Sequence, residues 1–126
     1  MKKRASRSIL ALLILLTGCG QSNPIPASDT NTKPDVTKDP VYQKGFALVK
    51  NNDCLTCHQV ADKAIGPSYR DIAAKYAGAS DTEVSAIAQR IIKGGAGVWG
   101  QIPMTAHPTL STADAEAMVQ YILLLK

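Results

Sequence analysis

Residues Cys54-Leu55-Thr56-Cys57-His58 constrain this chain more than anything else in it. Two neighbouring thiols can bond the vinyl groups of a haem, and an imidazole directly after the second is carried to the iron face without the chain having to search for it. A redox dithiol shares the C-x-x-C spacing, but such pairs stand beside a βαβ pattern, and no alternating or β-branched run here reads as a strand. A zinc site needs four nitrogen or sulfur ligands. The remaining candidates, Cys19 and His107, do not form a second pair. A structural disulfide between Cys54 and Cys57 leaves both His58 and a downstream methionine, Met104, without explanation.

The amino-terminal residues read as an export signal. Lys2, Lys3, Arg4 and Arg7 form a basic head, Ile9 to Leu16 an apolar run, and Leu16-Thr17-Gly18-Cys19 a junction of small residues. The run is shorter than the roughly 20 apolar residues that a bilayer span requires. The junction resembles a bacterial lipobox, which implies that residues 1–18 are removed and that Cys19 becomes a lipidated first residue. By the same resemblance Gly20, which is not Asp, favours the outer membrane where a cell has two. Four of the fourteen Lys and Arg residues belong to the basic head, so the rest of the chain carries ten against ten Asp and Glu. A near-neutral mature chain offers no basic patch for nucleic acid. Membrane attachment, on this reading, is left to acyl chains.

Residues 19–40 are rich in Asn, Ser, Thr, Asp and Lys and contain Pro24, Pro26, Pro34 and Pro40. Without apolar periodicity they read as a lipidated flexible tether. Residues 41–126 are left for one domain, a size at which a hydrophobic core alone is marginal and a buried cofactor adds apolar surface.

Within that domain the spacing predicts four short helices and an all-α fold. Val41, Tyr42, Phe46 and Val49 mark a first helix that stops at Asn51-Asn52-Asp53. A second follows Pro67, with Ile72, Ala73 and Tyr76 on one side and Gly78 as the stop. Ser80 or Asp81 caps a third, where Val84, Ile87, Ala88, Ile91 and Ile92 recur until Gly94-Gly95. Ser111 with Asp114 opens the last, with Met118, Tyr121, Ile122 and Leu125 as its buried stripe.

Between the third and fourth helices runs Gly94-Gly95-Ala96-Gly97-Val98-Trp99-Gly100-Gln101-Ile102-Pro103-Met104. Its four glycines permit a path that hugs a flat cofactor, and Pro103 stiffens the approach to Met104. Met118 sits at core spacing on a helix and reads as packing. Met104 sits in a loop with no helical partner, which makes it the candidate iron ligand.

Taken together, Cys54-Leu55-Thr56-Cys57-His58, Gly66-Pro67-Ser68-Tyr69, Asp71-Ile72-Ala73-Ala74-Lys75-Tyr76, Ala88-Gln89-Arg90-Ile91, Gly97-Val98-Trp99-Gly100 and Ile102-Pro103-Met104 resemble a short bacterial class I cytochrome c. The resemblance implies four helices wrapped around one covalently bound haem c. It implies thioethers at Cys54 and Cys57, axial iron ligation by His58 and Met104, and a Pro67 carbonyl that accepts the proximal imidazole N–H. Arg90 and Trp99 fall where that family places donors to a haem propionate.

Two positions depart from the pattern. Val49 stands where relatives carry an aromatic residue between the first and last helices, which hands that contact to Phe46 and Tyr121. His107 stands where the family's small members carry an Asn that hydrogen-bonds the methionine sulfur. A sulfur contact and a ligand switch are both open to it, while Pro108 and the polar surroundings predict a solvent-facing loop.

The resemblance implies a one-electron carrier of an extracytoplasmic respiratory chain, lipid-anchored and facing the periplasm. With both axial sites filled and no titratable pair arranged for acid–base work, no substrate turnover is expected. Its partners are redox proteins in transient contact, the membrane through Cys19, and neither nucleic acid nor a small-molecule substrate. A haem-bearing subunit of a reductase or oxidase complex and a haem-based sensor are the alternatives.

Overall fold

The computed structural model of the chain describes residues 35–126. The export signal, Cys19 and most of the tether lie outside the described residues. Within the stretch read as tether, Asp35 caps a short 3-10 turn at Val36–Lys38. Its carboxylate accepts from the Thr37 backbone N–H at 3.1 Å.

Four helices follow: α1 (Pro40–Asn51), α2 (Tyr69–Lys75), α3 (Asp81–Lys93) and α4 (Thr112–Leu123). Each starts where a short polar side chain satisfies an otherwise unpaired N–H. Asp39 accepts from Val41, Ser68 from Asp71, Ser80 from Glu83 and Ser111 from Asp114. Pro40 occupies the first turn of α1, where its missing N–H costs nothing. A positive φ of 67° at Gly94 ends α3. Among the described residues there is no strand, only an isolated bridge between Gly95 and Met104. The fold is all-α, as the periodicity predicts.

Helix α4 is the centre of the packing because it feeds both core clusters. Met118, Tyr121 and Ile122 join Val49 of α1 and Tyr69 of α2, while Ala115 and Val119 join Val84 and Ala88 of α3. Burying a side chain of the Val, Leu or Met class contributes roughly 1.5–3 kcal/mol, so these clusters hold the three outer helices to one axis. Leu125 packs against the first cluster from beyond the end of α4.

The face that α1 turns inward differs from the expected stripe. Val41 and Phe46 are exposed, and the buried positions are Gly45 and Val49. The reason is the approach of α4: a Cβ on Gly45 would stand 2.2 Å from Tyr121 Cβ and 2.5 Å from the Ala117 carbonyl oxygen. The Tyr121 ring then meets Tyr42 edge-on at 5.0 Å and Phe46 at 5.8 Å. Phe46 and Tyr121 do share the contact left by Val49, with Tyr42 as the closer member.

Candidate haem-binding site

The turn between α1 and α2 is built from its backbone outward. Asp53 takes the left-handed conformation, φ 55°, and reverses the chain after α1. Asp is among the few residues that tolerate this region. Cys54–Thr56 then form a 3-10 turn, closed by the Cys57 N–H donating to the Cys54 carbonyl at 3.2 Å, with the His58 N–H donating to the same oxygen at 2.9 Å. The two cysteines are not bonded to each other, and both are half-buried. Burial pushes the Cys54 thiol above its ordinary value of 9.0.

His58 is held on three sides. Its Nδ1 lies 2.8 Å from the Pro67 carbonyl oxygen. That oxygen can only accept, so Nδ1 carries the proton and the Nε2 lone pair is left free for a metal. One edge of the ring rests on Gly66, where a Cβ would come within 2.3 Å of His58 Cε1. The Tyr69 ring stacks on the imidazole at 5.8 Å between centroids, 10° from parallel. The loop that brings these groups together is tied by Gly66 N–H to Cys57 O and Tyr69 N–H to Gln59 O, both 2.9 Å.

Facing this turn, the glycine-rich loop folds back on itself. Gly95 and Met104 exchange backbone hydrogen bonds of 3.0 and 2.9 Å, and the Gly97 N–H donates to the Gly100 carbonyl at 2.7 Å. A Cβ at Gly94 would stand 2.5 Å from the Met104 carbonyl oxygen, so only glycine lets the returning chain pass. Met104 is thereby fixed in a loop, half-buried, whereas Met118 is 1% exposed in the core.

One cavity of about 660 Å³ collects these pieces. Cys54, Cys57, His58, Pro67, Arg90, Trp99 and Met104 all line it, so the cofactor-binding and iron-ligand candidates of the domain come together in one place. Much of the rest is apolar, including Val49, Ile65, Ile72, Ile87, Ile91, Val98 and Ile102. A nitrogen lone pair, a thioether, two thiols and apolar walls suit a large flat metal macrocycle bonded through its edge. Lys75 and Tyr76, which belong to the motif of the second helix, also brace the rim. Arg90 Nη1 donates to the Tyr76 hydroxyl at 3.0 Å, and Lys75 Nζ lies 5.1 Å from the centroid of the Trp99 ring. No local sequence signal links Tyr76, which caps the end of α2, to Arg90 on α3. His107 is half-buried and also lines the cavity, in place of the solvent-facing position predicted from Pro108 and its polar neighbours.

The family profile described as "Cytochrome c" matches residues 42–126. The chain belongs to the cytochrome c family. Cytochrome c-552 of Nitrosomonas europaea is 49% identical over 79 residues, 63% of this chain and 76% of that protein. Cytochrome c-551 of Pseudomonas aeruginosa is 42% identical over 76 residues, 60% of this chain and 71% of that protein. The crystal structure of the Nitrosomonas protein superposes with a TM-score of 0.59 at 48% identity, covering 64% of this chain and 99% of that one. A class 1 cytochrome from Sideroxydans lithotrophicus superposes with a TM-score of 0.55 at 25% identity, covering 66% and 94%. This is therefore a short class I mono-haem cytochrome c with one covalently attached haem c and its iron. Cytochromes c of this kind transfer electrons and are not enzymes. Among the described residues no helix of this cytochrome is long and apolar enough to cross a membrane.

Proposed function

We propose that this cytochrome shuttles single electrons in an extracytoplasmic respiratory chain, with His58 and Met104 as the axial iron ligands and Cys54 and Cys57 as the thioether anchors. The observation that carries this reading is the hydrogen bond from His58 Nδ1 to the Pro67 carbonyl at 2.8 Å, in a cavity that Met104 also lines. When bound, haem c supplies an iron that changes by one electron between ferric and ferrous. The residues do the rest. The Pro67 carbonyl orients the imidazole and raises its basicity. The Met104 thioether favours ferrous iron, which sets a higher potential than two imidazoles would. Arg90 and Trp99 serve as donors to a propionate, with the Tyr76 hydroxyl holding the Arg90 guanidinium in place.

Cys19 is the proposed lipidation site, leaving about fifteen residues between the anchor and Asp35. The domain then faces the periplasm, on the outer membrane where the cell has two, and meets its redox partners in small, short-lived contacts.

Absorption spectroscopy of the full chain, matured with its haem, tests the ligand set. The reduced protein should show a sharp low-spin α band, and the oxidised protein a weak sulfur-to-iron band in the near infrared. Carbon monoxide should alter neither state promptly. Replacing Met104 by Ala should abolish the near-infrared band and lower the potential; an unchanged band removes Met104 from the iron. Mass spectrometry of the mature amino terminus should find a diacylglycerol-type addition on Cys19, and an unmodified thiol there rules out the anchor.

A further inference from the structure

The cavity contains a metal-ligating side chain that the proposed function leaves unused. His107 lines the same cavity as Met104, three positions further along the chain, and is half-buried. Among the described residues its ring makes no hydrogen bond.

Its backbone, in contrast, is firmly tied. The His107 N–H is shared between the carbonyls of Ile91 and Ile92 at 3.2 and 3.1 Å, in the last turn of α3, and its carbonyl accepts from the Leu110 N–H at 3.1 Å. None of these bonds involves Met104. The Met104 backbone is paired with Gly95, inside the glycine-rich loop. Between the two anchors stand Thr105 and Ala106, both exposed, whose N–H groups make no backbone hydrogen bond among the described residues. A displacement of the loop that withdraws the thioether therefore leaves His107 fixed to α3 and still facing the cavity. The other spare sulfur, Met118, is locked at 1% exposure among Val49, Tyr69 and Tyr121.

We propose that His107 is a reserve axial donor: when Met104 leaves the iron, the His107 imidazole takes the vacated position. The inference rests on the His58 and Met104 ligation proposed above. In the exchange one iron–sulfur bond breaks and one iron–nitrogen bond forms. The neutral imidazole brings its own lone pair, so no electron is gained or lost and no proton is released. The result is a closed, low-spin, bis-imidazole centre of lower potential, because the thioether that favoured ferrous iron has gone. Loss of the methionine then retunes the carrier instead of opening it to small molecules.

The test uses the full matured chain in four forms: wild type, Met104→Ala, His107→Gln, and the double variant. Wild type and His107→Gln should both retain the near-infrared sulfur band. Met104→Ala should lose that band yet stay low-spin, with the paramagnetic resonance signature of two imidazoles. The double variant should become high-spin and bind carbon monoxide at least about tenfold faster than Met104→Ala, a difference of about 1.4 kcal/mol in activation free energy. If Met104→Ala is already high-spin and binds carbon monoxide as fast as the double variant, His107 is no donor. If the double variant stays low-spin, another side chain fills the site, and the inference fails equally. A sulfur band that survives in Met104→Ala overturns the ligand reading itself, which separates that failure from the failure of His107. Far-ultraviolet circular dichroism of each variant, together with the His107→Gln control, distinguishes loss of a donor from loss of the fold.

Discussion

The Tyr69 ring lies parallel to the His58 imidazole, 5.8 Å between centroids and 10° between planes. Tyr69 is the first residue of α2, and the Pro67 carbonyl that holds His58 Nδ1 stands two positions before it. One short stretch of chain therefore both packs the imidazole and fixes its tautomer. Because Tyr69 also touches Tyr121 edge-on at 6.2 Å, the orientation of the proposed proximal ligand is tied to the central helix. Packing of α4 and geometry at the metal site are one problem in this protein.

Gly66→Ala should disturb that orientation directly. The new methyl would stand 2.3 Å from His58 Cε1 and 2.7 Å from Nδ1, too close for either to stay in place. Overpacking of this kind costs about 1–3 kcal/mol. The expected outcome is a lower denaturant midpoint of the holoprotein together with a weakened Nδ1–H to Pro67 hydrogen bond. Faster exchange of that ring proton in nuclear magnetic resonance spectra would register the latter. An unchanged midpoint and unchanged exchange would contradict the close contact.

Gly45→Ala probes the other end of the same network. In an exposed helix interior the change would stabilise by up to about 1 kcal/mol. Here the methyl meets Tyr121 Cβ at 2.2 Å and the Ala117 carbonyl oxygen at 2.5 Å, so α1 and α4 must separate. Net destabilisation of about 1–3 kcal/mol is expected, measured as the shift in chemical-denaturation midpoint. A stabilised variant would mean that the helices do not approach this closely.

These two glycines also show where sequence reading stops. The Ser111 cap with Asp114 is legible because a helix start is a local hydrogen-bonding problem solved within four residues, and the same rule narrows the start of α3 to Ser80 or Asp81, of which the structure takes Ser80 with Glu83. The burial of Met118 is legible because it falls at core spacing on a helix, and the place of Met104 in a loop because four glycines precede it. Gly45 has no side chain to enter a periodicity, so the apolar pattern points to Val41 and Phe46, which the structure leaves exposed. The Tyr76 to Arg90 contact joins two helices, and the half-burial of His107 depends on where the last turn of α3 presents its carbonyls. Each of these is set by tertiary approach, which no local pattern records.

Acid sensitivity should trace to the start of α3. The Ser80 backbone N–H donates to Glu83 Oε2 at 2.9 Å and the Ser80 hydroxyl donates to the same oxygen at 3.0 Å. These bonds, the backbone one first, hold the Glu83 carboxyl below its ordinary 4.5. A depressed folded value means that the stabilisation is complete above pH 4.5 and is lost as pH falls through the lower folded value. Glu83→Gln should remove that part of the acid dependence. Denaturant midpoints of wild type and variant should differ near neutral pH and converge in acid; a constant gap would assign the effect to something other than this carboxylate.

Alkaline sensitivity should come from the two buried tyrosines. Tyr69 is 2% exposed and Tyr121 1%. Burial, which disfavours the charged phenolate, pushes Tyr121 up to about 12 and Tyr69 well above its ordinary value of 10. A raised folded value means that the folded protein holds these protons more tightly than the unfolded chain. The corresponding stabilisation is complete below pH 10 and drains away as pH rises through the folded values. Denaturant midpoints should therefore fall steadily above pH 10, and a Tyr69→Phe/Tyr121→Phe double variant should fall less steeply over the same range. Ultraviolet titration offers an independent check, because tyrosinate absorbance from these two residues should rise only as the domain unfolds. Ionisation of either one near pH 10 in the folded protein would show that the core around α4 admits water.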